Sequence, residues 1–162
     1  MPSHPAPLFA RSDRMRPRFA SALLVVALGF ATATEALAQN TFQQQVRTYL
    51  NNAASGVVQQ GYSADRDPVT GSLNGGARES MMINLTGGTR YALVGVCDND
   101  CTDVDLRIWD PSGTKLAEDI LVDDTPVLEF TATTTGQYRV SVEMATCSTN
   151  PCYWGFQVFA RR

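Results

Sequence analysis

Histidine is almost missing from this 162-residue chain: His4 is the only one. Since His4 lies within the expected export leader, the part left after cleavage has no imidazole for a Ser-His or Cys-His pair. No C-x-x-C dithiol, G-x-S-x-G elbow, phosphate loop or dinucleotide fingerprint occurs either. Clustered positive charge is also scarce, and the formal net charge is −3. Nucleic acid and anionic membrane surfaces are therefore poor partners, because phosphate binding needs grouped cations. Spanning a bilayer takes about 20 apolar residues, and the apolar run FASALLVVALGFATA falls short of that.

That run is preceded by RSDRMRPR and closed by Ala36-Leu37-Ala38. A basic start, an apolar middle and an A-x-A site predict a secretory signal peptide over residues 1–38, cleaved after Ala38. Cleavage leaves 124 residues with 9 basic and 14 acidic side chains, net −5. This is enough for one domain, periplasmic or secreted, with no membrane span. The four cysteines, Cys97, Cys101, Cys147 and Cys152, all lie in this part. An even count in an exported chain predicts two disulfides. Each local pair, Cys97–Cys101 and Cys147–Cys152, brackets a short polar loop and is favoured. Cross-linking of two loops at one end of the fold is the alternative. Zinc is disfavoured by C-x3-C and C-x4-C spacing without histidine.

Residues 39–61 carry Phe42, Val46, Tyr49, Leu50, Ala53 and Val57 at helical spacing. They predict one amphipathic helix over about 41–54, with Asn40/Gln43 or Thr41/Gln44 as a capping box and Gly56 or Gly61 as a stop. Residues 62–162 then show strand signals at regular intervals: 70–73, 79–85, 90–96, 104–109, 115–119, 126–131, 137–144 and 153–160. Alternation is clearest where Val104, Leu106 and Ile108 share one face and Asp103, Asp105, Arg107 and Trp109 the other. Tyr138, Val140, Val142 and Met144 make a second apolar set; Trp154, Phe156, Val158 and Ala160 make a third. A period of two with one polar face indicates antiparallel sheet, and seven or eight such strands need two sheets face to face. The fold class expected is an all-β sandwich preceded by one helix.

Three short motifs stand in order: Asp103-Val104-Asp105-Leu106, Asp110-Pro111-Ser112-Gly113 and Gly136-Gln137-Tyr138-Arg139-Val140. Together they resemble the bacterial pre-peptidase C-terminal domain family over residues 67–160. The resemblance implies a jelly-roll-like β-sandwich found beside secreted peptidases, with relatives that bind collagen or polysaccharide near calcium. Against that pattern, these 162 residues show no peptidase sequence, and they carry two cysteine-bracketed loops and a helix of their own.

Two groups of residues are candidate sites. Asp98, Asp100, Asp103 and Asp105 fall within eight positions, and clustered carboxylates supply the oxygen ligands calcium takes. Outside an EF-hand spacing, the competing assignment is solvated loop residues with Asp103 and Asp105 bonding backbone amides. Arg107 and Trp109, outward on one strand, suit a sugar ring or a protein anchor. Glu118, Asp119, Asp123 and Asp124 read as soluble turn chemistry. The function expected is a non-enzymatic exported module binding an extracytoplasmic protein or polysaccharide, with calcium as the one cofactor considered. An accessory envelope protein without a small ligand is the alternative. A glycoside hydrolase using paired carboxylates comes third, because nothing marks one carboxyl as buried and protonated.

Overall fold

The computed structural model describes residues 24–162. The whole of the expected leader, residues 1–38, lies outside the residues whose side chains are described. The chain divides into two compact units, Met1–Glu35 and Ala36–Arg162, and the second holds every strand. Among the described residues no helix is long and apolar enough to cross a membrane.

Helix α1 (Leu24–Gln59) is followed by β1 (Ser63–Ala64), β2 (Val69–Leu73), β3 (Arg78–Leu85), β4 (Arg90–Cys97) and β5 (Cys101–Trp109). Then come β6 (Lys115–Asp119), β7 (Val127–Thr131), β8 (Gly136–Cys147) and β9 (Cys152–Arg161). All eight expected strands are present, and the two-residue β1 is added. β5, β8 and β9 extend to the cysteines, beyond the clean alternation, where β5 slips register against β8 near Cys101 and Asp103.

Sheet A runs β1-β9-β4-β7, with β2 also on β9, and sheet B runs β3-β8-β5-β6. The pairs β2·β9, β3·β8, β4·β7 and β5·β6 are nested antiparallel. The chain is thus one long ribbon with its tip at the β5–β6 turn, rolled until β4 meets β9 and β5 meets β8. That is jelly-roll topology. Asp110 makes the tip: its Oδ1 accepts the N–H groups of Ser112 and Thr114, both at 2.9 Å. Between the sheets lie Leu93, Leu106, Ile108, Tyr138, Val140, Val142, Met144, Trp154 and Phe156, all buried.

β4 is buried on both faces, because α1 covers the outer side of sheet A. Val46 and Leu50 pack on Val96, while Ala54 and Val57 pack on Ala92, Val94 and Phe159. Burying one Val or Leu side chain is worth roughly 1.5–3 kcal/mol, so this stripe suffices to hold the helix down. Phe42 adds a stack on Tyr153, with centroids 5.2 Å apart. The helix is longer than expected. It passes through residues 40 and 41 without a break, so the anticipated capping box is not a start, and it passes through Gly56 as well. The stop is Gly61, at φ 90°. Its N–H donates to the Val58 carbonyl (3.0 Å) and that of Tyr62 to the Val57 carbonyl (3.2 Å). Tyr62 then packs beside Val57, a Schellman ending with its apolar contact.

Candidate functional site

Loops carry recognition in sandwich folds because a rigid scaffold aims them. Here four of them, residues 74–77, 98–100, 120–126 and 148–151, gather at one end. The Gly75 N–H donates to Asn150 Oδ1 (2.8 Å). The Ser148 N–H and hydroxyl both donate to the Asp100 carbonyl, at 2.7 and 2.8 Å. The Val104 N–H donates to the Asp123 carbonyl (3.0 Å) and the Cys97 N–H to that of Asp124 (3.3 Å). Both disulfides are at this end and both are local, Cys97–Cys101 and Cys147–Cys152, each with Cα atoms 5.8 Å apart. Cys101 faces Cys147 across the β5–β8 ladder. The two loops do share one end, yet each closes on itself.

The four aspartates of the expected calcium set fall into two interacting pairs, Asp98 with Asp100 and Asp103 with Asp105. Asp98 turns toward β9: it is 1 % exposed, its Oδ2 accepts the Tyr153 N–H (2.9 Å), and its buried Oδ1 has no hydrogen-bond partner among the described residues. Burial pushes its carboxyl above the usual range, against the pull of the Tyr153 N–H. Asp103 and Asp105 lie on the outer face of sheet B. Burial raises Asp103, helped by the charge of Asp123. Burial also raises Asp105, with Arg107 at 3.0 Å opposing. Asp100 contributes its backbone carbonyl to the Ser148 contacts. Among the described residues, no three of His, Cys, Asp or Glu come together in a way that holds a metal ion.

Arg107 and Trp109 do point outward on sheet B, the sheet opposite the one that α1 packs on, and both are half-buried. Both are occupied. Arg107 reaches Glu143 (2.7 Å), Asp105 (3.0 Å) and Glu118 (3.4 Å), and Arg78 pairs with the same Glu143. The Arg139 guanidinium lies 3.8 Å from the Trp109 ring centroid, over the face a sugar would stack on. This face is a charge network closed on itself.

The feature that sequence reasoning passed over is Ile120-Leu121-Val122. These side chains are 52, 67 and 86 % exposed. They form the tip of the β6–β7 loop, which crosses from one sheet to the other. The flanking carboxylates do the turn chemistry expected of them: Asp119 accepts the N–H groups of Leu121 (3.3 Å) and Val127 (2.9 Å). Asp123 accepts that of Thr125 (3.0 Å). The same bonds hold three apolar side chains out in water. The available signal was three consecutive apolar residues between acidic pairs, at a place where strand alternation had ended.

Charge at this end is uneven: Arg78 follows the 74–77 loop and Arg47 stands two residues before Tyr49 on α1, while the other loops carry no cation. No Lys or Arg occurs between residues 91 and 106 or between 116 and 138, the stretches that supply the 98–100 and 120–126 loops. Arg66, Arg90, Arg161 and Arg162 belong to the opposite end, where Arg66 reaches the Asn84 carbonyl and Arg162 reaches Asp65.

No family model matches the chain, and no curated protein matches it. Among solved structures it is similar to PliG of Aeromonas hydrophila, a periplasmic inhibitor of g-type lysozyme, at 10 % identity. That likeness covers 61 % of this chain and 89 % of the other, with a TM-score of 0.45.

Proposed function

We propose that this chain is an exported, non-enzymatic binding module that docks a protein partner with its acidic loop end, Ile120–Leu121–Val122 being the apolar anchor. The observation that carries the reading is the combination of high exposure and firm attachment at that tip. Burying one such side chain fully contributes roughly 1.5–3 kcal/mol, and a pre-shaped loop loses little ordering entropy on binding. Two closed disulfides support an oxidising compartment. Every cysteine among the described residues is bridged, so no thiol is free to act as nucleophile. The partner is a protein rather than a glycan, because the aromatic on sheet B is capped by Arg139. A second copy of this chain is disfavoured, since two acidic ends repel. The reading needs no calcium.

The test is capture of partners from the exported fraction of the native host by immobilised protein, in calcium and in EDTA. A triple variant, Ile120→Ser, Leu121→Ser and Val122→Ser, is expected to lose the captured protein, while Trp109→Ala keeps it in both buffers. Equal capture by the triple variant overturns the proposal.

A further inference from the structure

Beside the anchor, between α1 and the β6–β7 loop, lies an open recess of about 280 Å³. Ala53 and Val96 make its apolar floor, Tyr49 and Asn52 its helix wall, and Asp124 and Thr125 its rim. Tyr49 is fixed by donating its hydroxyl to Asn99 Oδ1 at 2.5 Å. The rim is fixed by the backbone bond from Cys97 to Asp124. None of the lining residues is basic. Asp124 is the one carboxylate of the lining, and a concave low-dielectric wall concentrates its potential.

We infer that this recess is a receptor for one Arg or Lys side chain of the docked partner, the aliphatic stem lying on Ala53 and Val96 and the cationic head at the Asp124 carboxylate. The chemistry matches part for part. Long cationic side chains bury their methylenes on apolar surface and keep the charge at a polar mouth. The Tyr49 and Asn52 side-chain oxygens offer acceptors near the same head. The inference rests on the docking reading above and gives that partner a chemistry: a basic residue beside an apolar cleft.

The test uses n-butylguanidinium as probe and n-butylurea as its uncharged isostere, titrated into the isotope-labelled, disulfide-intact protein by NMR. Saturable shifts are expected at the amides of Ala53, Val96, Asp124 and Thr125. Butylurea should bind about tenfold more weakly. Asp124→Asn should weaken butylguanidinium about threefold or more, as loss of one partly exposed charge contact does. Asn52→Arg, which places a cation of the protein's own at the mouth, should also weaken it. Equal binding of butylurea, undiminished binding by Asp124→Asn, or no shift at those amides overturns the assignment. The failures separate: if the tip variant loses its partner but butylguanidinium does not bind, the recess falls and the docking surface stands.

Discussion

Asp119 holds Val127 across the turn: its Oδ2 accepts the Val127 backbone N–H at 2.9 Å, eight residues on. Its other oxygen takes the N–H of Leu121 at 3.3 Å. One carboxylate thereby fixes both ends of the loop that carries the apolar tip. Asp119→Ala should cost about 1 kcal/mol, the net value of a typical hydrogen bond. It should also speed amide exchange at Leu121 and Val127, which water then reaches. Partner capture should weaken through faster dissociation, because the tip must be ordered on binding. Unchanged exchange at both amides would show that the loop is held by something else.

Gly155 lies on the helix side of β9, opposite its inward neighbours Trp154 and Phe156. A Cβ placed there comes 2.6 Å from Val46 Cγ1 and 3.1 Å from Leu50 Cδ1. Gly155→Ala should therefore push the helix away, at about 1–3 kcal/mol as for other overpacked sites. A smaller residue at position 46 should relieve it, so Val46→Ala combined with Gly155→Ala is expected to cost less than the two single changes added together. Thermal melting of the four proteins checks this; strict additivity would mean the helix does not sit on β9 as described.

The strands were legible because a buried face repeats every two residues, and Val104-Leu106-Ile108 or Tyr138-Val140-Val142 write that repeat plainly. The motifs behind the family resemblance have local structural causes. Asp110 ties the β5–β6 turn, and the Tyr138 hydroxyl donates to the Thr134 carbonyl (2.7 Å) and accepts the Thr134 N–H (3.2 Å), a tyrosine corner. Such residues speak of fold and leave the binding surface unspecified. The helix limits were less legible, since Gly56 mimics a stop and only the φ of Gly61 decides. The docking end was the least legible part. It is assembled from loops far apart in sequence, and an apolar triplet in a turn looks like the end of a strand until its exposure is known. The spacing of Asp98 and Asp103 does not show which neighbours each meets: Asp98, inside the Cys97–Cys101 loop, bonds the Tyr153 N–H, while Asp103 belongs to β5.

Arg107 is the hub of the outer face of sheet B. Its removal leaves Asp105, 7 % exposed, beside Asp103 without its cation. Arg107→Ala is expected to cost about 3 kcal/mol, in the range for breaking a largely buried pair. Asp105→Asn added to it should recover part of that loss, since the stranded charge is then gone. Denaturant unfolding of the single and double variants measures it. Trp109→Ala should cost less, as its partner Arg139 stays in water.

Asp98 gives the opposite sign. Its carboxyl is raised chiefly by burial, with the Asp100 charge adding to it, and the backbone N–H groups of Tyr153, Asp100 and Asp98 only partly offset this. A carboxyl whose folded pKa exceeds its unfolded value burdens the fold when ionised. The burden is full above the folded pKa and fades as pH falls from there to the unfolded value of about 3.9. Asp98→Asn keeps an acceptor for Tyr153 and removes the charge. It is therefore expected to stabilise the protein at pH 7 by about 1 kcal/mol, the scale of a buried group lacking one partner. That advantage should shrink on acidification, because the wild-type side chain becomes neutral too. Melting curves of both proteins across the acid range decide it. A gain that persists undiminished at the lowest pH would locate its cause in packing, and a loss at pH 7 would mean the ionised carboxylate has a partner at Oδ1.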